Sequence, residues 1–207
     1  PSEQTYKPWA YWWWMGSSVT KEGIGKNLQA YKEAGIGGMH IIPIYGEKGD
    51  EENFIDYLSP QWMDMLVHTL NEAEKLGLGI DMTTGTGWPF GGPTVSFATS
   101  AKKMELKEID LNTLESLDAI TKGIKGGQLV ALSVQTPDGS YKDILKDVQK
   151  INGLKQAKRY KKAVAMLLSP TRQKVKRAAP GAKGLVLDYF NREAIDSYFT
   201  KFQTAFD

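Results

Sequence analysis

Apolar and polar positions alternate with two different periods over the first 95 residues, and each stretch predicts a strand or a helix. Trp9 to Trp14 is a short aromatic strand. Thr20 stands where a helix cap belongs, Ile24, Leu28 and Tyr31 follow at helical spacing, and Gly35 ends the segment. Gly38 to Ile44 is almost continuously apolar, as in a strand buried on both faces. Ser59-Pro60 joins a capping residue to a proline at the first helical position. Trp62, Leu66, Leu70 and Ala73 then form an inward stripe that Gly77 stops, and Leu78 to Thr83 is the next strand. Ala34-Gly-Ile-Gly37 and Leu76-Gly-Leu-Gly79 occupy equivalent helix-to-strand joints, 42 residues apart. This faint repeat of a strand–helix unit implies parallel strands joined by right-handed crossovers.

Residues 101–170 break the pattern. Leu129 to Val134, followed by Pro137-Asp-Gly139, reads as a strand entering a turn, and Ala163 to Leu168 offers a second strand. The region reads as a small, mainly β insertion with the Lys155–Lys162 cluster on its solvated face. The first pattern then resumes. Leu185 to Asp188 is a short extended segment, and Asn191 caps a helix whose stripe is Ile195, Phe199, Phe202 and Phe206. Phe190 and Ile195 suit a hydrophobic staple. The organisation expected is therefore 1–100, an insertion over 101–170, and a return over 171–207.

Composition narrows the classes. With 207 residues, 41% hydrophobic and 24% charged, the chain has the make-up of an ordinary globular domain. No apolar run approaches the roughly 20 residues that span a bilayer, and no secretory leader is evident, so a cytosolic or already processed chain is expected. The absence of cysteine excludes disulfides and thiolate metal sites. With His40 and His68 the only histidines, a multi-histidine zinc site is excluded. The net charge of +2 is unevenly spread, because residues 1–100 carry 6 Lys against 12 acids and residues 101–207 carry 20 Lys and Arg against 12 acids. Two regions with different tasks are expected.

Chemistry concentrates in Asp81-Met-Thr-Thr-Gly-Thr-Gly-Trp-Pro-Phe-Gly-Gly-Pro93. Glycines free this loop for unusual backbone angles and close approach, while Pro89 and Pro93 stiffen it. A tryptophan amid four glycines suggests a loop built to present a surface, the alternative being a turn plugged by Trp88. Ligands of parallel α/β folds sit at the carboxyl ends of strands, where Trp13, Trp14, His40, Tyr45, Asp81, Thr84, Trp88 and Asp188 are the candidates. Aromatic faces suit the C–H faces of sugars, and carboxylates and imidazole suit their hydroxyls. Trp88, Asp81, His40, Trp14, Thr84 and Asp188 are the substrate-binding set expected. Each has a plainer reading: at least one tryptophan of the run is core, His40 is a satisfied buried histidine, and Asp188 braces the following helix. Asp81 stands out because a carboxylate inside a buried strand needs a partner or a task. Glu47, Asp50, Glu51 and Glu52 match no calcium-loop spacing, so no metal site is read from them. Gly85-Thr-Gly87 lacks the lysine of a phosphate loop, and the basic run Lys155–Lys162 has a single aromatic in a chain of modest overall charge, which argues against nucleic acid as a partner.

Trp12-Trp-Trp14, Thr20-Lys-Glu-Gly-Ile24 with Ala34-Gly-Ile-Gly-Gly38, Gly85-Thr-Gly-Trp-Pro-Phe-Gly-Gly92, and Lys174-Val-Lys-Arg-Ala-Ala-Pro-Gly181 leading into Gly184-Leu-Val-Leu-Asp188 carry a resemblance. Together they resemble the N-terminal part of the catalytic barrel of glycoside hydrolase family 106, the α-L-rhamnosidase-type enzymes. The resemblance implies a (β/α)8 barrel, cleavage of a rhamnosyl bond by paired carboxylates with inversion, calcium assistance, and a periplasmic or extracellular site of action. A complete barrel takes about 250 residues, so the fold expected is α/β, a partial (β/α)8 TIM-type barrel with a small, mainly β insertion. Exposed sheet edges would then call for self-association or the remainder of a longer chain. No glutamate falls on a matched catalytic motif, so the acid and base are unassigned. The function expected is carbohydrate recognition within a glycoside hydrolase, the alternative being a non-catalytic sugar-binding or structural piece.

Overall fold

The computed structural model describes residues 6–207. Strand β1 (Trp9–Met15) alternates sides, burying Trp12 and Trp14 and leaving Tyr11 and Trp13 on the other face. Helix α1 (Lys21–Glu33) begins where the Thr20 hydroxyl oxygen accepts the Gly23 amide at 3.1 Å. Strand β2 (Gly38–Ile44) follows, then α2 (Pro60–Leu76), opened by Ser59 and closed by Gly77 in the left-handed region. Strand β3 (Gly79–Met82) completes a parallel sheet in the order β1-β2-β3. Ile24 and Leu28 of α1 join Trp62 and Leu66 of α2 against Trp12, Trp14, Met39 and Ile41, which builds one core on one side of the sheet.

The parallel sheet stops there. Among the described residues no sheet closes into a barrel, so the partial (β/α)8 barrel expected from the sequence is corrected to a mixed α/β arrangement with separate sheets. Strand β4 (Gly91–Gly92) pairs antiparallel with β9 (Leu185–Val186) and does not extend β1-β2-β3. A further parallel strand needs a crossover of a dozen or more residues, usually a helix, and the glycine–proline loop after β3 supplies none.

A third sheet has the order β5-β8-β6-β7 and is antiparallel throughout: β5 (Lys102–Asp110), β6 (Gln128–Gln135), β7 (Tyr141–Asp143) and β8 (Lys162–Pro170). Its core gathers Ile109, Leu111, Leu132, Val134, Ala165 and Leu167 with Ile120 and Val148 from the short helices α3 (Asp118–Thr121) and α4 (Leu145–Val148); α5 (Gly153–Ala157) adds Ala157. Strand β5 escapes sequence reading because Lys and Glu fill most of an exposed edge strand, a composition that blunts pairing with other chains. By contacts the chain divides into two compact units, Ala101–Thr171 and the remainder on either side of it.

Helix α6 (Arg192–Gln203) begins at Asn191, whose side-chain oxygen accepts the Ala194 amide at 3.3 Å. Its buried face is Ala194 and Tyr198, packed with Val95 and Leu187. The stripe expected from the sequence is therefore rotated, since Phe199 and Phe206 are exposed. Phe190 is fully exposed as well, so its staple to Ile195 does not form.

Candidate functional site

The loop after β3 is held by backbone pairing with a distant segment. Trp88 and Lys176 exchange both hydrogen bonds, Trp88 N to Lys176 O at 2.9 Å and Lys176 N to Trp88 O at 2.7 Å. The Ala179 amide donates to Thr86 Oγ1 at 3.2 Å, and the Tyr45 amide donates to Arg177 O at 3.0 Å. Gly87 is required here. Its φ is +58°, and a Cβ would collide with Lys176 O and lie 2.8 Å from the Arg177 carbonyl carbon. The close approach that glycine allows is used at Gly87 by this second backbone.

What the clamp presents is Trp88. This residue is 48% exposed, and its ring lies 6.1 Å from that of Trp13, a residue 45% exposed, at an interplanar angle of 57°. Both border a cleft of about 500 Å³ lined also by Tyr11, His40, Ile42, Thr83 and Tyr189. That volume lies within the range of small-ligand sites. Tyr11 meets His40 edge-on at 5.6 Å. The Tyr189 hydroxyl donates to Phe90 O at 3.2 Å, and burial pushes this phenol up from its ordinary value against the lowering effect of that bond. It stays a neutral hydroxyl with lone pairs to offer. The lining contains no carboxylate and no lysine or arginine.

Of the six expected binding residues, the structure brings Trp88 and His40 into this cleft. Trp14 is fully buried against Trp12 and Trp62 in the core, and Trp13 stands in the cleft where Trp14 was expected. The parity of β1 carried that signal, because Trp12 and Trp14 share a face and Trp13 takes the other. Asp81 pairs in register with His40 but is exposed on an edge strand, so the premise of a buried carboxylate is corrected. Thr84 contributes its carbonyl to the Tyr198 hydroxyl at 2.9 Å, while the neighbouring Thr83 lines the cleft. Asp188 follows its plainer reading, with Oδ1 accepting the Phe190 amide at 3.1 Å and its carbonyl accepting the Asn191 amide at 3.3 Å ahead of α6. Tyr11 and Tyr189 were not legible as site residues, since only the tertiary structure brings them beside Trp88; Phe90, two residues on in the same loop, carried a signal in its position alone.

The acidic loop serves itself. Glu51 Oε2 accepts the Gly49 amide at 2.8 Å, and Asp50 accepts from the Asn53 side chain at 2.6 Å, which holds its carboxyl below the ordinary value. Among the described residues no group of three or more His, Cys, Asp or Glu side chains gathers where a metal could be held.

The family model described as alpha-L-rhamnosidase matches residues 1–118, more than half of the chain. The chain belongs to the alpha-L-rhamnosidase family, glycoside hydrolase family 106. This rhamnosidase-family chain is 29% identical over 145 residues to a Formosa agariphila protein named "Putative beta-glucuronidase", covering 70% of the chain and 11% of that relative. Its fold is similar to that of a rhamnosidase from Novosphingobium sp. PP1Y, with a TM-score of 0.63 and 13% identity, over 99% of the chain and 37% of the other. At that identity the likeness speaks for the fold alone. The chain thus spans about a tenth of the one relative's length and about a third of the other's. No helix among the described residues is long and apolar enough to cross a membrane.

Proposed function

We propose that the cleft between Trp13 and Trp88 is a saccharide-binding subsite of a rhamnosidase-type protein that acts outside the cytoplasm. The observation that carries this reading is the convergence of two half-exposed indoles on one cleft beside His40, Thr83 and Tyr189. Indole faces take the C–H face of a pyranose, and the imidazole and hydroxyls serve its hydroxyls. A rhamnosyl unit is the sugar that family membership favours.

Inverting hydrolysis needs two carboxyls about 6.5–9.5 Å apart with a water between them. The cleft lining holds none. We therefore assign this chain the binding of sugar and assign acid and base to none of its residues, which keeps a non-catalytic role as the second reading. Titration of tryptophan fluorescence with L-rhamnose tests the proposal. Saturable quenching is expected, weakened at least about tenfold in Trp88→Ala, a change equivalent to about 1.4 kcal/mol. An unaltered affinity in a folded Trp88→Ala variant would overturn the reading. Release of the leaving group from an aryl rhamnoside separates an enzyme from a binder.

A further inference from the structure

The clamp that positions Trp88 builds a second cleft from its other residues. It measures about 410 Å³ and is lined by Tyr45, Lys174, Val175, Arg177, Ala178, Lys183 and Gly184. Three of these are cations, and none is a carboxylate. Lys174, Arg177 and Lys183 are exposed, and none of them forms an ion pair among the described residues. Unpaired cations on an open surface are common; cations brought to one concave site by backbone pairing are less so. Lys174 bridges to Leu185, and the Val175 amide donates to Gly184 O at 3.0 Å, which draws the Lys174 and Lys183 strands together. Arg177 is held at φ +57°, a conformation that strains a residue with a Cβ. Its guanidinium lies 5.6 Å from the centre of the Tyr45 ring, and its carbonyl accepts the Tyr45 amide. The strained backbone and the stacked ring together fix where the cation points.

We infer that this cleft binds the carboxylate of a uronic-acid sugar, in a saccharide whose neighbouring neutral unit occupies the Trp13–Trp88 cleft. The inference rests on the proposed function, because the two sites are joined through the Trp88–Lys176 ladder. A planar guanidinium matches a carboxylate in a two-point geometry, and two ammonium groups add charge without demanding orientation. A nucleic acid would instead ask for a stripe of cations following a phosphate backbone and for several stacking rings; here there is one ring, and it is occupied by Arg177.

Calorimetry on the whole chain tests this with a short oligogalacturonate, its neutral oligogalactose counterpart, inorganic sulfate and single-stranded DNA. The oligogalacturonate is expected to bind at least about tenfold more tightly than the neutral oligomer, a difference near 1.4 kcal/mol. Its affinity should fall with salt, and by at least about tenfold in the double variant Lys174→Gln/Lys183→Gln. Both lysines are exposed, so that variant folds; Arg177→Gln gives an independent second reading. Equal affinity for acidic and neutral oligomers would overturn the inference. So would an unchanged affinity in the double variant, or sulfate or DNA binding as tightly as the uronate. Rhamnose quenching that persists in the double variant but is lost in Trp88→Ala separates failure of this inference from failure of the proposed function.

Discussion

Trp13 and Trp14 are neighbours in one run of three tryptophans and have opposite fates. The pleat of β1 turns Trp14 into the core against Trp12 and Trp62, and turns Trp13 out beside Trp88. Truncating a buried aromatic removes its transfer free energy and leaves a cavity, so Trp14→Ala is expected to cost about 3–5 kcal/mol in denaturant unfolding. Trp13→Ala is expected to cost less than about 1 kcal/mol, because half of its surface is already in water, and to weaken sugar binding. Equal unfolding midpoints for the two variants would contradict this facing of β1.

At the scale of elements, the proposed binding surface depends on a loop that no helix or strand interior supports. Gly87 is the tightest point of the Trp88–Lys176 clamp. Gly87→Ala would both adopt φ +58° and press a methyl group into the 176–178 backbone, and a loss of roughly 1–3 kcal/mol is expected. The same variant should weaken rhamnose quenching through a displaced Trp88, and a quench of wild-type strength would show that the clamp does not set the ring. The β6–β7 turn gives a separate test. The Thr136 hydroxyl, then the Ser140 hydroxyl and amide, donate to the Asp138 carboxylate and hold its pKa at about 2. A depressed carboxylate supports the fold above its ordinary value, and that support is lost as pH falls from about 4 towards 2. Carboxyl chemical shifts followed by NMR should place the Asp138 midpoint near the bottom of that window; a midpoint near 4 would mean that the turn is open in solution.

For the whole molecule, the division into two units has a consequence for engineering. The Thr171 amide donates to Ala101 O at 2.8 Å, so the chain enters and leaves the Ala101–Thr171 unit at adjacent points. Each unit has its own buried cluster, one around Leu132 and Leu167 and the other around Trp14 and Trp62. Replacing 101–171 by a short Gly-Ser linker should therefore leave a cooperatively folding protein, because closing a short loop costs little. The near-ultraviolet circular dichroism of its tryptophans and its rhamnose response are expected to persist. Collapse of both signals would show that the excised unit is needed to fold the rest.

Local signals in the sequence determined the features that depend on neighbouring residues. Thr20, Ser59 and Asn191 each cap the helix after them, since a capping oxygen reaches only an amide two or three residues ahead. The parallel strands β1 to β3 were legible for the same reason, from apolar runs at strand length. Long-range pairing decided the rest. The barrel implied by the resemblance did not form, because the path of the chain beyond β3 is settled by its meeting with residues 174–186, about ninety residues away in the chain. Asp81, placed in a strand by pattern, proved exposed because that strand lies at a sheet edge. The cleft itself joins Tyr11, His40, Trp88 and Tyr189 from four separate segments, which strand pairing and packing between distant parts of the chain bring together.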